Sequence, residues 1–454
     1  MSFELSGSRF RSVRTQSLVP AACAAVWFFG ASLAATRGAD ATTVAPVLTV
    51  SADHPQGVYA LGEPIRWRID TGNAGGFTDT HYSLKQGGQT VIREGKLALS
   101  GSVEEIEATV TEPGTLLLEV KATDSQGKVR RELGGAIVAP GQIPVSMPRP
   151  GDFDAFWQAK IQELGKVPAN PVLAPGESGR EGVDYWQITM DNIRGTHIRG
   201  QLARPKGQDK RPAMLVVQWA GVYGLAKSWA TDPAASGWLV LNINAHDLPI
   251  DKPEEFYKEQ SQGPLKDYWV AGNDNRDQSY FLRMYLSAYR AAQYLAERPD
   301  WDGKTLLVTG VSQGGLQTLM LAGLHPKITA AIACVPAGCD LTGPKIGRSP
   351  GWPGWYWNVQ GKDPAKVIEA GRYYDVVNFA EHVKCPVLVG VGLIDETCPA
   401  AGILAAVNQM KGPREVVFLP KGDHQGTGNT HAAFNDRAKV WKEALLKGGA
   451  APAK

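Results

Sequence analysis

The sequence predicts an α/β domain with a mostly parallel sheet, preceded by a smaller all-β domain. The length of 454 residues is more than one small domain requires. Residues 40–145 consist of short runs that alternate apolar and polar side chains between turn residues, which is typical of half-buried strands. After residue 152, apolar strand-like runs alternate with helix-length segments, which is typical of a parallel sheet covered by helices.

Residues 1–38 are predicted to be a signal peptide. Arg9, Arg11 and Arg14 supply a positive start, residues 18–35 are uncharged and mostly apolar, and small residues follow near the end of this stretch. A retained membrane anchor is the alternative, but a proline and a glycine interrupt the apolar run. We therefore expect a secreted or periplasmic protein that keeps no stable membrane span after cleavage.

The charge balance argues against nucleic acid as a partner. The chain has 47 Lys plus Arg and 45 Asp plus Glu, and its net charge is +2. A nucleic-acid-binding domain would normally carry a basic stripe or a strongly positive face, and the sequence has no long run of one sign.

Four cysteines lie outside the predicted signal peptide, namely Cys334, Cys339, Cys385 and Cys398. An oxidising compartment would permit disulfides among them, and buried free thiols are an equally good interpretation. The sequence has no Cys-x-x-Cys pair and no Cys/His ligand spacing, so no metal site is expected.

The all-β domain is assigned to residues 39–142. Ile65, Trp67 and Ile69 alternate with charged residues, and residues 115–122 read as another strand. About seven such strands in roughly 100 residues favour an immunoglobulin-like β-sandwich. It could bind carbohydrate or orient a substrate, or it could be a structural or oligomerisation module; the sequence leaves both possibilities open.

The α/β domain is assigned to residues 143–454. Its strands are predicted from five apolar runs, which are AMLVVQW from Ala213, WLVLNIN from Trp238, TLLVTG from Thr305, PVLVGVG from Pro386 and EVVFLP from Glu415. Because these runs are apolar on both faces, helices are expected on both sides of the sheet.

The third of these strands runs directly into Gly310-Val311-Ser312-Gln313-Gly314, and a helix-length apolar segment follows. A G-x-S-x-G sequence between a strand and a helix predicts the nucleophile elbow of an α/β-hydrolase. Glycine two residues to either side of the serine lets the strand and the helix approach each other. We expect Ser312 to be the nucleophile and the backbone N–H of Gln313 to be an oxyanion donor.

A serine nucleophile needs a histidine base and a carboxylate that orients it, and the α/β-hydrolase order is Ser, acid, His. Asp395 is expected to be the acid because it comes first after an apolar strand, with Glu396 as the alternative. His424, on the loop after the next strand, is the expected base, and His431 is its rival.

The loop after strand AMLVVQW reads Ala220-Gly221-Val222-Tyr223-Gly224, and it is expected to supply a second oxyanion donor. Val222 is the preferred donor, and Tyr223 takes its place if the register shifts by one. Between the elbow and the acid lies an aromatic cluster, Trp352, Trp355, Tyr356 and Trp357, which would form either a sugar-stacking wall or core packing.

Beyond these motifs, residues 148–448 resemble the acetyl xylan esterase/cephalosporin C deacetylase family, which is carbohydrate esterase family 7. The resemblance rests on DFDAFW (152–157), VVQWAG (216–221), GVSQGG (310–315), the stretch 373–399 and GDHQG (422–426). It implies a Ser312-Asp395-His424 triad with backbone donors at Gln313 and Val222, the same residues that the motifs indicate.

Two departures from this family pattern stand out. The family usually carries Arg-Gly-Gln where this chain has Asn244-Ala245-His246-Asp247, and it usually has Glu where Gln425 follows His424. The all-β domain is also an addition. The resemblance leaves a homo-oligomer open without implying the ring-like assembly typical of relatives.

The function expected from sequence is therefore that of an exported serine esterase, without metal or organic cofactor, that deacetylates carbohydrates such as xylan fragments. Two alternatives stay open: a serine hydrolase of another ester or of a peptide, and a sugar-binding protein on an inactive hydrolase fold. The intact serine, aspartate and histidine argue against the second.

Overall fold

The computed structural model describes residues 47–72, 76–98 and 103–452. The predicted signal peptide lies outside these ranges. Among the described residues, no helix combines the length and the apolar character that crossing a bilayer requires. The described residues all belong to a single compact unit.

In the part of the chain that the structure describes, eight strands precede the first α-helix, and they form two sheets. They are β1 (Thr49–Ala52), β2 (Val58–Tyr59), β3 (Ile65–Asp70), β4 (Phe77–Gln86), β5 (Thr90–Lys96), β6 (Val103–Ala108), β7 (Gly114–Asp124) and β8 (Val129–Val138). One sheet has the order β1-β3-β6, and the other has the order β2-β8-β7-β4-β5. The apolar face of β3, including Trp67, packs on Leu118 and Val120 of β7 in one core. The immunoglobulin-like assignment stays a prediction.

The strands that follow the first α-helix form one nine-stranded sheet. Its strands are β9 (Val172–Gly176), β10 (Val183–Asp191), β11 (His197–Pro205), β12 (Arg211–Val216), β13 (Leu239–Ile243), β14 (Trp301–Val311), β15 (Ala330–Cys334), β16 (Val387–Gly392) and β17 (Arg414–Leu419). The order is β17-β16-β15-β14-β12-β13-β11-β10-β9. The strands from β12 to β17 pair in parallel, and the strands from β9 to β11 form an antiparallel extension.

Nine described helices accompany this sheet: α1 (Phe153–Gly165), α2 (Ser228–Ala235), α3 (Glu254–Gln262), α4 (Tyr280–Glu297), α5 (Gln313–Leu324), α6 (Pro364–Gly371), α7 (Val376–Ala380), α8 (Ala400–Val407) and α9 (Ala432–Leu446). Alternate residues of each central strand enter two different cores, because successive side chains of a strand point to opposite faces. On β14, for example, Leu306 and Val308 join the core under α4 and α5, whereas Leu307 joins the core under α2 and α9. The expected two-sided α/β domain is confirmed.

The five-stranded sheet lies directly against the loop that follows β16. Arg131 of β8 donates two hydrogen bonds of 2.8 Å to the carboxylate of Glu396, and a third of 2.8 Å to Glu119. At Gly135 the two backbones approach so closely that a Cβ atom would lie 2.2 Å from the carbonyl oxygen of Leu393. The N-terminal sheets are therefore packed tightly against the segment that carries Asp395.

We expect Gly135→Ala to destabilise the protein, because the added methyl group would meet backbone that cannot rotate away. Overpacking of this kind costs about 1–3 kcal/mol of unfolding free energy. Gly114→Ala is the matched control, since a Cβ at that strand position meets nothing within 4 Å. Thermal unfolding of both variants would test this, and equal midpoints would contradict the close contact.

Candidate active site

Ser312 occupies the sharp turn between β14 and α5, with φ 57° and ψ −119°. Non-glycine residues rarely take a positive φ, so the surroundings must hold this conformation. The Ser312 amide donates to the carbonyl of Cys334 at 3.0 Å, and the Ser312 carbonyl accepts from Leu316 and Ala337. The bonds to Cys334 and Ala337 tie the turn to the end of the neighbouring strand β15, and the bond from Leu316 belongs to the first turn of α5.

The glycines of the elbow are required by close contacts. A Cβ at Gly310 would lie 2.5 Å from the backbone of Gly314, and one at Gly314 would lie 2.5 Å from the carbonyl oxygen of Val217. The turn can therefore form only if both Gly310 and Gly314 lack a side chain. Ser312 is 7% exposed.

Three side chains from separate segments meet at the carboxyl edge of the parallel sheet. His424, after β17, lies with Nε2 2.9 Å from the Ser312 Oγ and with Nδ1 2.8 Å from the Asp395 Oδ2. Asp395 follows β16, and its other oxygen accepts 2.8 Å bonds from the amides of Thr397 and Cys398. Because a carboxylate only accepts, Nδ1 carries the imidazole proton and Nε2 is left to accept the serine hydroxyl proton.

The two sequence alternatives lie elsewhere. Glu396 points to Arg131 of the N-terminal sheet, and it is hydrogen-bonded there rather than to the imidazole. His431, at the start of α9, donates through Nε2 to the carbonyl of Asp423 at 2.8 Å. It therefore supports the loop that carries His424 instead of contacting Ser312.

The predicted oxyanion loop is joined to the elbow by a tyrosine. The Gly221 amide donates to the Tyr268 hydroxyl at 3.3 Å, and that hydroxyl donates to the Gln313 Oε1 at 2.7 Å. Gln313 is the first residue of α5, so its amide N–H has no partner within the helix and is free to point at an anion. The positions of Val222 and Gln313 are thus linked through one buried side chain.

Comparison with known proteins gives the family. The acetyl xylan esterase (AXE1) family model matches residues 144–444. This chain belongs to the acetyl xylan esterase family. It is accordingly a serine carboxylic-ester hydrolase.

A curated relative is the acetyl esterase Axe7A of Xylanibacter ruminicola, which is 31% identical over 358 residues, 78% of this chain and 80% of its own length. The solved acetyl xylan esterase 1 from Thermoanaerobacterium sp. JW/SL YS485 superposes with a TM-score of 0.57 at 20% identity, over 67% of this chain and 97% of that one. The acetyl xylan esterase from Paenibacillus sp. R4 gives 0.55 at 22% identity, over 66% and 98%. These structures support the α/β-hydrolase fold.

In this esterase, the aromatic cluster expected near the site divides between core and surface. Trp355 is 1% exposed and its indole N–H donates to the carbonyl of Trp269, so it belongs to the core and cannot stack on a sugar. The ring of Trp352 packs against Trp269 and Phe281. Trp357 is 54% exposed and stays a candidate sugar contact.

Sequence reasoning missed a second exposed indole. Trp219 lies three residues before Val222, is 41% exposed, and stacks on Tyr223 at a ring distance of 5.2 Å. The Tyr223 hydroxyl donates to the Trp219 carbonyl at 2.8 Å, which holds the two rings together. The position of Trp219 in VVQWAG, directly before the predicted oxyanion loop, is the sequence feature that could have indicated it.

Cys398 lies beside the triad residues, and all four cysteines of the described segments are free thiols. Ligand atoms of Asp395, Cys398 and His424 lie within 4.8 Å of one another. Burial raises the pKa of the Cys398 thiol well above its usual value, so the sulfur stays protonated. Because both Asp395 oxygens already accept hydrogen bonds, the arrangement suits proton transfer better than cation binding.

We expect Asp395→Asn to lower kcat by roughly 10³- to 10⁴-fold, because an amide can hold the imidazole in the wrong tautomer. Glu396→Gln is the adjacent control and should stay within about threefold of wild type, since exposed ion pairs contribute little. Hydrolysis of 4-nitrophenyl acetate measures both. A larger loss in Glu396→Gln than in Asp395→Asn would make Glu396 the acid.

Proposed function

We propose that this protein is an exported serine esterase that removes acetyl groups from acetylated xylan or xylo-oligosaccharides. The observation that carries the proposal is the continuous hydrogen-bonded chain from the Ser312 Oγ through His424 to Asp395, at a strained strand-to-helix turn. Membership of the acetyl xylan esterase family supports the choice of substrate.

In the first half-reaction, the Ser312 Oγ attacks the acetyl carbonyl carbon while His424 Nε2 takes the hydroxyl proton. The negative charge that forms on the carbonyl oxygen is bound by the backbone N–H groups of Gln313 and Val222. Asp395 stabilises the imidazolium without taking its proton. When the bond to the sugar oxygen breaks, His424 returns the proton to that oxygen and the sugar leaves as an alcohol.

In the second half-reaction, water attacks the acetyl carbonyl carbon on Ser312 while His424 Nε2 takes a proton from it. The same two amides bind the second oxyanion. Collapse of this intermediate releases acetic acid, which ionises to acetate in water, and His424 returns its proton to the Ser312 oxygen. The cycle needs no redox partner, and the proton transfers among the serine, sugar and water oxygens all pass through the one imidazole.

The export part of the proposal rests on the sequence of the N-terminal segment. The positive start and the uncharged apolar run of residues 1–38 support cleavage and release into the periplasm or the medium, where a polymeric plant polysaccharide could be met. A retained anchor would leave the enzyme at the membrane surface instead.

The test is acetate release by the wild type and by Ser312→Ala, measured on acetylated xylo-oligosaccharides and on 4-nitrophenyl acetate. We expect the wild type to release acetate from both and the variant from neither, because alanine has no nucleophile. Release from the activated ester alone would direct the search to another natural ester. No release from either would favour the sugar-binding alternative.

A further inference from the structure

His246 is buried behind the oxyanion loop, although it belongs to the stretch that departs from the family pattern. It lies just after β13 and is 1% exposed, with both ring nitrogens hydrogen-bonded. Nε2 lies 2.9 Å from the Gly221 carbonyl oxygen, and Nδ1 lies 2.7 Å from the Tyr280 hydroxyl. The ring also packs edge-on against Tyr268 at 4.6 Å.

The Gly221 carbonyl at one end and Arg283 at the other determine the direction of these hydrogen bonds. A carbonyl oxygen only accepts, so His246 carries its proton on Nε2. At the other end, Arg283 donates to the Tyr280 oxygen at 2.9 Å, which leaves the Tyr280 proton for His246 Nδ1. Donation therefore runs from Arg283 through Tyr280 and His246 to the Gly221 carbonyl.

Burial keeps His246 in this one form. Loss of solvent lowers the pKa of His246 to about 4, and the nearby Arg283 charge acts in the same direction. The neutral tautomer with the proton on Nε2 is thus the form present at neutral pH. A protonated ring would offer its Nδ1 proton to a hydroxyl that already receives one from Arg283.

The Gly221 carbonyl and the Val222 N–H are two ends of the same planar peptide group, and they point in opposite directions. Holding the carbonyl in place therefore aims the amide N–H, and donation to the carbonyl strengthens the amide as a donor. Gly221 has a positive φ of 129° and no Cβ, so steric contacts restrict the peptide that follows it less than they would after another residue. Without a partner at its carbonyl, this peptide could turn its N–H away.

We propose that His246 is a positioning residue that fixes and polarises the Val222 N–H as the second oxyanion donor. This rests on the proposed function, because it assigns His246 to the same site. The other contacts of the loop act on its neighbours, with Tyr268 on the Gly221 amide and Asn244 on the Tyr223 carbonyl. Among the residues that the structure describes, His246 is the side chain that is hydrogen-bonded to the carbonyl of the Gly221–Val222 peptide.

The experiment compares His246→Phe, His246→Gln, Tyr280→Phe and a control, His325→Phe. His325 is also a buried histidine with an edge-on tyrosine neighbour at 4.6 Å, but it follows α5 on the far end from Ser312. Steady-state hydrolysis of 4-nitrophenyl acetate gives kcat and KM. Titration with diethyl 4-nitrophenyl phosphate counts the sites in which Ser312 reacts.

Removal of an oxyanion donor costs roughly 10²- to 10³-fold in kcat, so misplacing one should cost about 10- to 100-fold. We expect that loss in His246→Phe, with KM within about twofold and a full count of titrated sites. His246→Gln should recover most of kcat because its amide N–H can reach the same carbonyl, and Tyr280→Phe should lose less than His246→Phe. His325→Phe should match the wild type.

A kcat for His246→Phe equal to that of His325→Phe would overturn the positioning role, as would a fully titrating His246→Gln that stays as slow as His246→Phe. If His246→Phe does not fold, Tyr280→Phe decides, and a wild-type kcat in that variant overturns the proposal. An inert wild type whose Ser312 does not titrate would instead overturn the proposed function and, with it, this inference.

Discussion

The backbone conformation of Ser312 is the constraint on which the rest of the site depends. At φ 57° and ψ −119°, the residue cannot continue either the strand or the helix, so Oγ is held out from the carboxyl edge of the sheet. The conformation is strained, and it persists because hydrogen bonds to Cys334 and Ala337 and the close backbone contacts at the flanking glycines leave no other path for the chain. The packing of the central sheet therefore offsets the strain at Ser312 and keeps its Oγ in position.

The acid of the site depends on packing from outside the hydrolase sheet. Leu393 and Glu396 lie on either side of Asp395, and both contact strand β8 of the N-terminal sheets. The contact at Gly135 is between backbones, and the contact at Glu396 is an ion pair with Arg131, whose guanidinium also reaches Glu119. A module that merely bound polymer on a flexible tether would have no need of such contacts, so these sheets also have a structural role at the acid loop.

The meeting of Ser312, Asp395 and His424 could be predicted from sequence because each position obeys a local rule: glycines around Ser312, an acid directly after one apolar strand, and a histidine after the next. The antiparallel strands β9 to β11 could not, because β9 is exposed along its whole length and buried and half-buried positions alternate irregularly along β10 and β11. The burial of Trp355 could not be predicted either, because the sequence of an aromatic cluster does not distinguish exposed rings from buried ones. The role of His246 needed the fold, because its partners lie 25 and 34 residues away.

Each side of the site ends in a group that takes one role in hydrogen bonds, either acceptor only or donor only. On one side Asp395 can only accept, so the chain through His424 draws the proton away from the Ser312 oxygen. On the other side Arg283 can only donate, and in the proposed arrangement the chain through Tyr280 and His246 aims the Val222 N–H at the carbonyl oxygen of the ester. Since attack makes the nucleophile lose a proton and the carbonyl oxygen gain negative charge, both chains favour the charge distribution of the transition state over that of the bound ester. Neither chain has to reorient as the reaction proceeds, because the carboxylate at one end and the guanidinium at the other fix the direction of each hydrogen bond.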